Sequence, residues 1–229
     1  TNKLYEFIQG TKNLLNRNSI FVIENHYLLE VIKKNQFDTF YHEHLRTYSL
    51  NSFFYISKLL NMKITKFSFP KRYGGNIRIF YESKNIEKKN VLQNIFEEKK
   101  VFYLLKKKFI KNLKKWKKYK LKAILDLNKK YGSLPAKSYP ARASVIINYL
   151  KLNSKHISNI FEQDHSKKIN KFVPGTDIKI IGDKYLKNKI LNKPILNFSW
   201  HISKEINYYL KKSGINNKII DIINEKDVK

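Results

Sequence analysis

The 229-residue chain is 42% hydrophobic and 14% aromatic, enough apolar material for one large or two small globular domains, which excludes a disordered tail. No apolar run approaches the roughly 20 residues of a membrane span, the first residues lack the order of a secretory leader, and the absence of cysteine excludes a disulfide framework or thiolate metal site within the chain, so a cytoplasmic location and no membrane partner are expected. The net charge of +29 would suit nucleic acid, but only five of the 47 basic residues are arginine (Arg17, Arg46, Arg72, Arg78 and Arg142); phosphate readers favour the guanidinium fork, so the excess reads as a solvated lysine surface.

Residues 4 to 16 place Leu4, Phe7, Ile8, Thr11, Leu14 and Leu15 at helical spacing. The run Ile20-Phe21-Val22-Ile23 then reads as a parallel strand covered on both faces, and helix followed by buried strand is half of a βαβ unit. Residues 27 to 34 read as helix, and Leu50 to Leu60 resumes helical spacing. Met62 to Phe69 and Asn76 to Tyr81 form two strands of a hairpin turned across Pro70 and Gly74-Gly75. From Val91 to about Lys130 there is no glycine or proline, and Phe102, Leu105, Phe109, Leu113 and Trp116 keep a three-to-four spacing, which predicts one long helix. Ten lysines between Lys106 and Lys122 cover its other faces, as a solvated surface on a connecting helix would.

Gly132-Ser133-Leu134-Pro135 breaks that helix and marks a domain boundary. A second, smaller α/β unit follows: helix over Ala143 to Leu150, strands at Ile157 to Phe161, Ile178 to Ile181 and Ile195 to Phe198, helix over Ser203 to Lys212, and a last strand at Ile219 to Ile223.

Three of the six histidines, His26, His42 and His44, lie within nineteen residues beside Glu24, Glu43, Tyr27, Tyr41 and Tyr48. Imidazole titrates near neutral pH and a carboxylate or phenol can orient it, so this cluster suits acid/base chemistry; polar residues that satisfy loop backbone are the other reading. On an extended chain Tyr41, Glu43 and Leu45 share one face and His42 and His44 the other; on a helix Tyr41 and His44 share a face. Zinc could take His42 and His44 with His26 or Glu43, but none of the familiar helical ligand spacings is present.

The string Gln36-Phe37-Asp38-Thr39-Phe40-Tyr41-His42-Glu43-His44-Leu45, after Val22-Ile23-Glu24 and Tyr27-Leu28, resembles the signature of class I S-adenosylmethionine-dependent C-methyltransferases acting on nucleotide-activated deoxysugars. Gly74-Gly75-Asn76-Ile77-Arg78 resembles a further segment of that family. The likeness continues in order through Ala141-Arg142-Ala143-Ser144, Asn148-Tyr149, Glu162-Gln163, Ser166-Lys167-Lys168-Ile169, Pro174-Gly175-Thr176 and Ser199-Trp200-His201-Ile202.

The resemblance implies an α/β chain in three parts. Residues 1–85 would be the end of a Rossmann-like methyltransferase domain, 86–131 a long connecting helix, and 132–229 a smaller Rossmann-like domain that helps hold the nucleotide sugar. The sequence begins at Thr1, which fits a fragment or a processed product, and it has neither a glycine-rich donor turn at its start nor the cysteines of the family's N-terminal zinc module. S-adenosylmethionine would therefore bind a donor region supplied in cis or in trans, zinc would belong to the absent module, and the partner would be a nucleotide-linked keto deoxysugar. Where the family has a glycine-rich turn before Ala141, this chain has Ser138-Tyr139-Pro140, which removes the freedom a backbone needs to approach phosphate.

Carbon methylation needs a carbanion or enolate, so a base must remove a proton beside a ketone. The resemblance assigns that role to His44, positioning or polarisation of the sugar to Tyr41, and orientation of the site to Glu43; Tyr41 or His42 would stabilise the enolate oxygen. Gly75 and Asn76 are substrate-binding candidates within their segment. Arg78 and Arg142 suit a diphosphate or an ion pair, and Trp200 and His201 suit a nucleotide pocket or an interdomain seam. The competing reading is a non-catalytic nucleotide-sugar binding or interaction subunit.

Overall fold

The computed structural model describes residues 3–83, 90–190, 192–224 and 227, with the backbone alone for Tyr73. The chain packs as two compact units, one formed by Thr1–Phe37 and His42–Asn112, the other by Asp38–Tyr41 and Leu113–Lys229. The boundary expected at residues 85/86 lies outside the described residues.

In the first unit, α1 (Leu4–Leu14) buries Ile8 and Thr11, and the Thr11 hydroxyl donates to the Phe7 carbonyl. Next come β1 (Ile20–His26), the short α2 (Leu28–Lys33) and α3 (Leu50–Leu60). Ser49 starts α3 through a capping box with Ser52, and Asn61 ends it in the left-handed conformation, φ 55°. β2 (Lys63–Ser68) and β3 (Asn76–Glu82) follow, and the sheet order is β1-β3-β2 with β3 antiparallel to both neighbours. The alternation of β3 places Ile77, Ile79 and Tyr81 in a core with Phe53, Ile56, Leu60 and Ile64, each buried aliphatic or aromatic side chain contributing about 1.5–3 kcal/mol.

This corrects the reading of β1. The strand is antiparallel to β3 and is not sheathed on both faces, since Ile20 is 61% and Val22 44% exposed. Four apolar residues in a row carry no information on strand direction or on what covers them.

α4 spans Asn90–Tyr131, 42 residues without glycine or proline. Phe102, Leu105, Phe109 and Leu113 are half-buried and Trp116 is buried, while Lys106, Lys107, Lys108, Lys111, Lys114, Lys115, Lys118 and Lys122 are exposed. Lys120 departs from the expected lysine surface: its ammonium is buried against Asp227, 2.9 Å away.

The second unit is a parallel sheet of β4 (Leu134–Lys137), β5 (Ile157–Glu162), β6 (Lys179–Gly182), β7 (Ile195–Asn197) and β8 (Ile219–Asp221), in the order β6-β5-β4-β7-β8. Its helices are α5 (Ala143–Leu150), α6 (Leu186–Ile190) and α7 (Ser203–Lys212). Every residue of β4 and β7 is buried, as strands of a doubly covered parallel sheet are. Phe161, Ile181, Leu186, Ile190, Ile195 and Leu210 form one core cluster. The expected strands and helices of this unit are present, and β4 is an additional central strand that the sequence reading takes only as a helix break. Among the described residues, no helix is long and apolar enough to cross a membrane.

Candidate functional site

In the first unit, alternation along β1 sends Glu24 and His26 to one face of the sheet, and antiparallel register sets Arg78 and Asn76 of β3 opposite them. Asn76 Nδ2 donates to Glu24 Oε1 at 2.8 Å, and Arg78 Nε donates to Glu24 Oε2 at 2.7 Å. The Asn76 hydrogen bond first, and the Arg78 guanidinium second, hold the Glu24 carboxyl below the usual carboxylate range. Asn76 Oδ1 is buried and accepts no hydrogen bond from the described residues. The turn before Asn76 needs its glycines. Gly75 sits at φ 130° and a Cβ there would lie 2.8 Å from Glu30 Cβ, while Gly75 O accepts from the Tyr27 amide at 3.2 Å.

His44 lies on the irregular stretch after the short 3-10 turn Phe37–Thr39, so neither the strand nor the helix geometry considered for this string applies. Its half-buried imidazole stacks on that of His26, ring centroids 4.6 Å apart and planes 16° from parallel. His42 and Glu43 are exposed, with His42 Nε2 4.0 Å from Glu43 Oε1. Below this face Tyr27 donates to Glu98, whose carboxylate also accepts from the Leu50 and Asn51 amides at the start of α3.

In the second unit, sequence order in the sheet reverses between β4 and β7, the place where ligands enter open parallel sheets beyond the strand C-termini. The Ser199 hydroxyl donates to the Ser138 hydroxyl at 2.7 Å across this point, and Ser138 turns with φ 67°. Ser199 N donates to Asn197 Oδ1, and Asn197 Nδ2 donates to Asp221 at 2.7 Å. Beside this point Lys137 is buried and donates to both Asp183 oxygens, at 2.8 and 2.6 Å, and the Tyr209 hydroxyl donates to the same carboxylate at 2.7 Å. Burial first, and then that carboxylate, push the Tyr209 phenol up to about 12.

Asp38 belongs to this unit and is 1% exposed. Trp200 Nε1 donates to its Oδ2 at 3.2 Å, and Arg142 Nε lies 3.5 Å from the same oxygen. Burial raises the Asp38 pKa against the opposing pull of Arg142 and Trp200. Burial and the Arg142 charge hold His201 below the ordinary imidazole range.

Residues 71–226, well over half of the chain, match the sequence profile of the C-methyltransferase C-terminal domain. The chain belongs to this C-methyltransferase family. It is also 32% identical over 77 residues to the C-methyltransferase NovU of Streptomyces niveus, a stretch that is 34% of this chain and 18% of NovU. The matched stretch thus spans under a fifth of that relative.

Against this family background, the structure places the sequence-predicted residues in separate groups. His44, Gly75, Asn76 and Arg78 belong to the first unit, as do the exposed His42 and Glu43, whereas Tyr41, Arg142, Trp200 and His201 belong to the second. Both singled-out arginines meet carboxylates, Arg78 that of Glu24 and Arg142 that of Asp38. Among the described residues, no three His, Asp or Glu side chains are placed to hold a metal ion. Nor do the described residues fit the methyl donor, because no strand among them runs through a glycine-rich turn into a helix, and β4 enters α5 through Ser138-Tyr139-Pro140.

Sequence reasoning missed Asp38, Lys137 and Asp183 as partners. Asp38 stood inside the recognised string, where its burial could have been suspected, but nothing local ties Lys137 to a carboxylate 46 residues away.

Proposed function

We propose that this chain is the acceptor-binding portion of an S-adenosylmethionine-dependent C-methyltransferase, and that His44 removes the proton alpha to the ketone of a nucleotide-linked deoxysugar. The observation that carries the reading is the His26–His44 stack on a sheet where Asn76 stands opposite His26. A ring clamped against a second imidazole keeps one orientation, and a base must hold orientation to meet a C–H bond.

In this reading the C–H electron pair becomes the enolate as the proton passes to a His44 ring nitrogen. Asn76 and the backbone at Gly75 contact the sugar. Tyr41, or the exposed His42, donates to the developing enolate oxygen, and Glu43 orients the segment. Arg142, Trp200 and His201 serve the nucleotide end, and Arg78 acts by fixing Glu24 and through it Asn76. S-adenosylmethionine supplies the methyl group when bound, on residues outside those described.

Proton removal can be read without the methyl donor. The purified chain, mixed with a nucleoside-diphosphate keto deoxysugar in D2O, is expected to speed loss of the alpha-proton NMR signal by at least about 100-fold over buffer, and His44→Gln is expected to abolish the gain. Exchange by His44→Gln at the unsubstituted rate would remove the base assignment. Binding of the sugar nucleotide without any exchange would instead favour a non-catalytic binding subunit.

A further inference from the structure

A helix that packs on one core needs a single apolar stripe, turned inward. Between Asn90 and Ile110, α4 carries two. Val91 and Ile95 belong to the core of the first unit, and Phe102, Leu105 and Phe109 lie half-buried on the same side. Leu92, Phe96, Tyr103 and Ile110 make the other stripe: at about 100° per residue they fall within about 40° of one another, about a third of a turn from the inward row. Leu92 and Phe96 are each 57% exposed, Tyr103 72% and Ile110 43%. At about 1.5 Å of rise per residue this outward row is about 27 Å long.

The same helical arithmetic sets Lys99 and Lys106 along one margin of the row and Lys100, Lys107 and Lys111 along the other, all of them exposed. Lys100 Nζ lies 4.3 Å from the centroid of the Phe96 ring. The acids of this stretch are Glu97, 3.7 Å from Lys100, and the buried Glu98, so both margins stay positive. Beside Lys99 and Lys106 a cleft of about 430 Å³ opens, lined also by Phe102, Tyr103 and the first two residues of α2, Leu28 and Leu29.

A contiguous apolar row of this kind on a surface marks a contact site, and its margins select what it contacts. A second copy of the chain would set lysines against lysines, and a net charge of +29 opposes that pairing. A flat bilayer would cover the row and leave the cleft unfilled, whereas a side chain projecting from a helix fills such a cleft. We propose that this face of α4 receives an amphipathic helix of a partner polypeptide. The partner's apolar residues lie along Leu92, Phe96, Tyr103 and Ile110, one of them sits in the cleft beside α2, and its acidic margins meet the lysines. The proposal is independent of the methyl-transfer reading.

The probe is a fluorescently labelled synthetic helix of about 20 residues, with leucines in one stripe and glutamates on both flanks. Its control has the same composition with the leucines scattered around the helix. In anisotropy titrations of the purified full chain at physiological salt, the striped peptide is expected to bind at least about tenfold more tightly than the scattered one. Phe96→Ser combined with Tyr103→Ser, both at exposed positions, is expected to weaken the striped peptide about tenfold and leave the scattered one unchanged. Equal binding of the two peptides by the unsubstituted chain would mean that charge alone attracts them and would overturn the proposal. That comparison needs no variant, so it decides even if the double variant fails to fold. Sedimentation with vesicles of equal parts phosphatidylcholine and phosphatidylserine, lost in the double variant while neither peptide binds, would assign the face to a membrane surface and overturn the proposal too.

Discussion

Lys137→Met tests the energetics of the second unit at a buried ion pair. Methionine keeps most of the aliphatic stem and removes the ammonium, so Asp183 is left with the Tyr209 hydroxyl in place of three donated hydrogen bonds. The side chains of Lys137 and Asp183 are 3% and 9% exposed, so solvent cannot replace the lost donor. Breaking a buried pair from one side costs about 3–5 kcal/mol. With a urea slope of about 2 kcal/mol/M, the midpoint should fall by about 1.5–2.5 M. Both tryptophans, Trp116 and Trp200, belong to the second unit, so tryptophan fluorescence follows the unfolding of this unit. Adding Asp183→Leu to Lys137→Met should recover most of the loss, because an uncharged apolar pair leaves nothing unpaired to desolvate. A midpoint shift for Lys137→Met below about 0.3 M would refute the argument.

Glu98→Ala removes the acceptor of the Leu50 and Asn51 amides and of the Tyr27 hydroxyl, and should cost the first unit about 3 kcal/mol. Hydrogen exchange at Leu50 and Asn51 should accelerate, and unchanged protection there would count against this capping role. Arg142→Ala should destabilise the second unit by about 2–3 kcal/mol at pH 7, since Asp38 loses the guanidinium beside its buried charge and keeps the Trp200 hydrogen bond. Ionised Asp38 already opposes folding because its folded pKa is raised, and losing Arg142 raises it further. The deficit is therefore largest above the folded pKa and shrinks as pH falls and Asp38 takes up a proton. Equal deficits at pH 7 and in mild acid would contradict that assignment.

The elements that the sequence disclosed are those whose signals are local. α3 begins at the Ser49 cap and ends where Asn61 turns left-handed, and α4 runs as long as no glycine or proline interrupts it. β4 was hidden because Pro135 has no N–H to give to a ladder and so argues against a central strand. The fold accommodates it with a register shift between Leu134 and Pro135. The histidine string stood out in the sequence, but the contacts of its residues did not. His26 stacks on His44 because the loop brings it there, and Glu162 reaches Tyr139 through strand order. Such pairings depend on topology, which residue spacing along the chain does not encode.

Among the described residues, β1 has no neighbour on its side away from β3, and Ile20 and Val22 lie exposed on that strand. A bare strand margin with greasy side chains is a template for a second polypeptide. The surplus of 29 positive charges keeps copies apart in dilute buffer, and added electrolyte removes that protection over distances of about 10 Å at 0.1 M. Preparations of this chain should therefore turn cloudy on addition of salt, opposite to the behaviour of a protein that clumps through attraction between unlike charges.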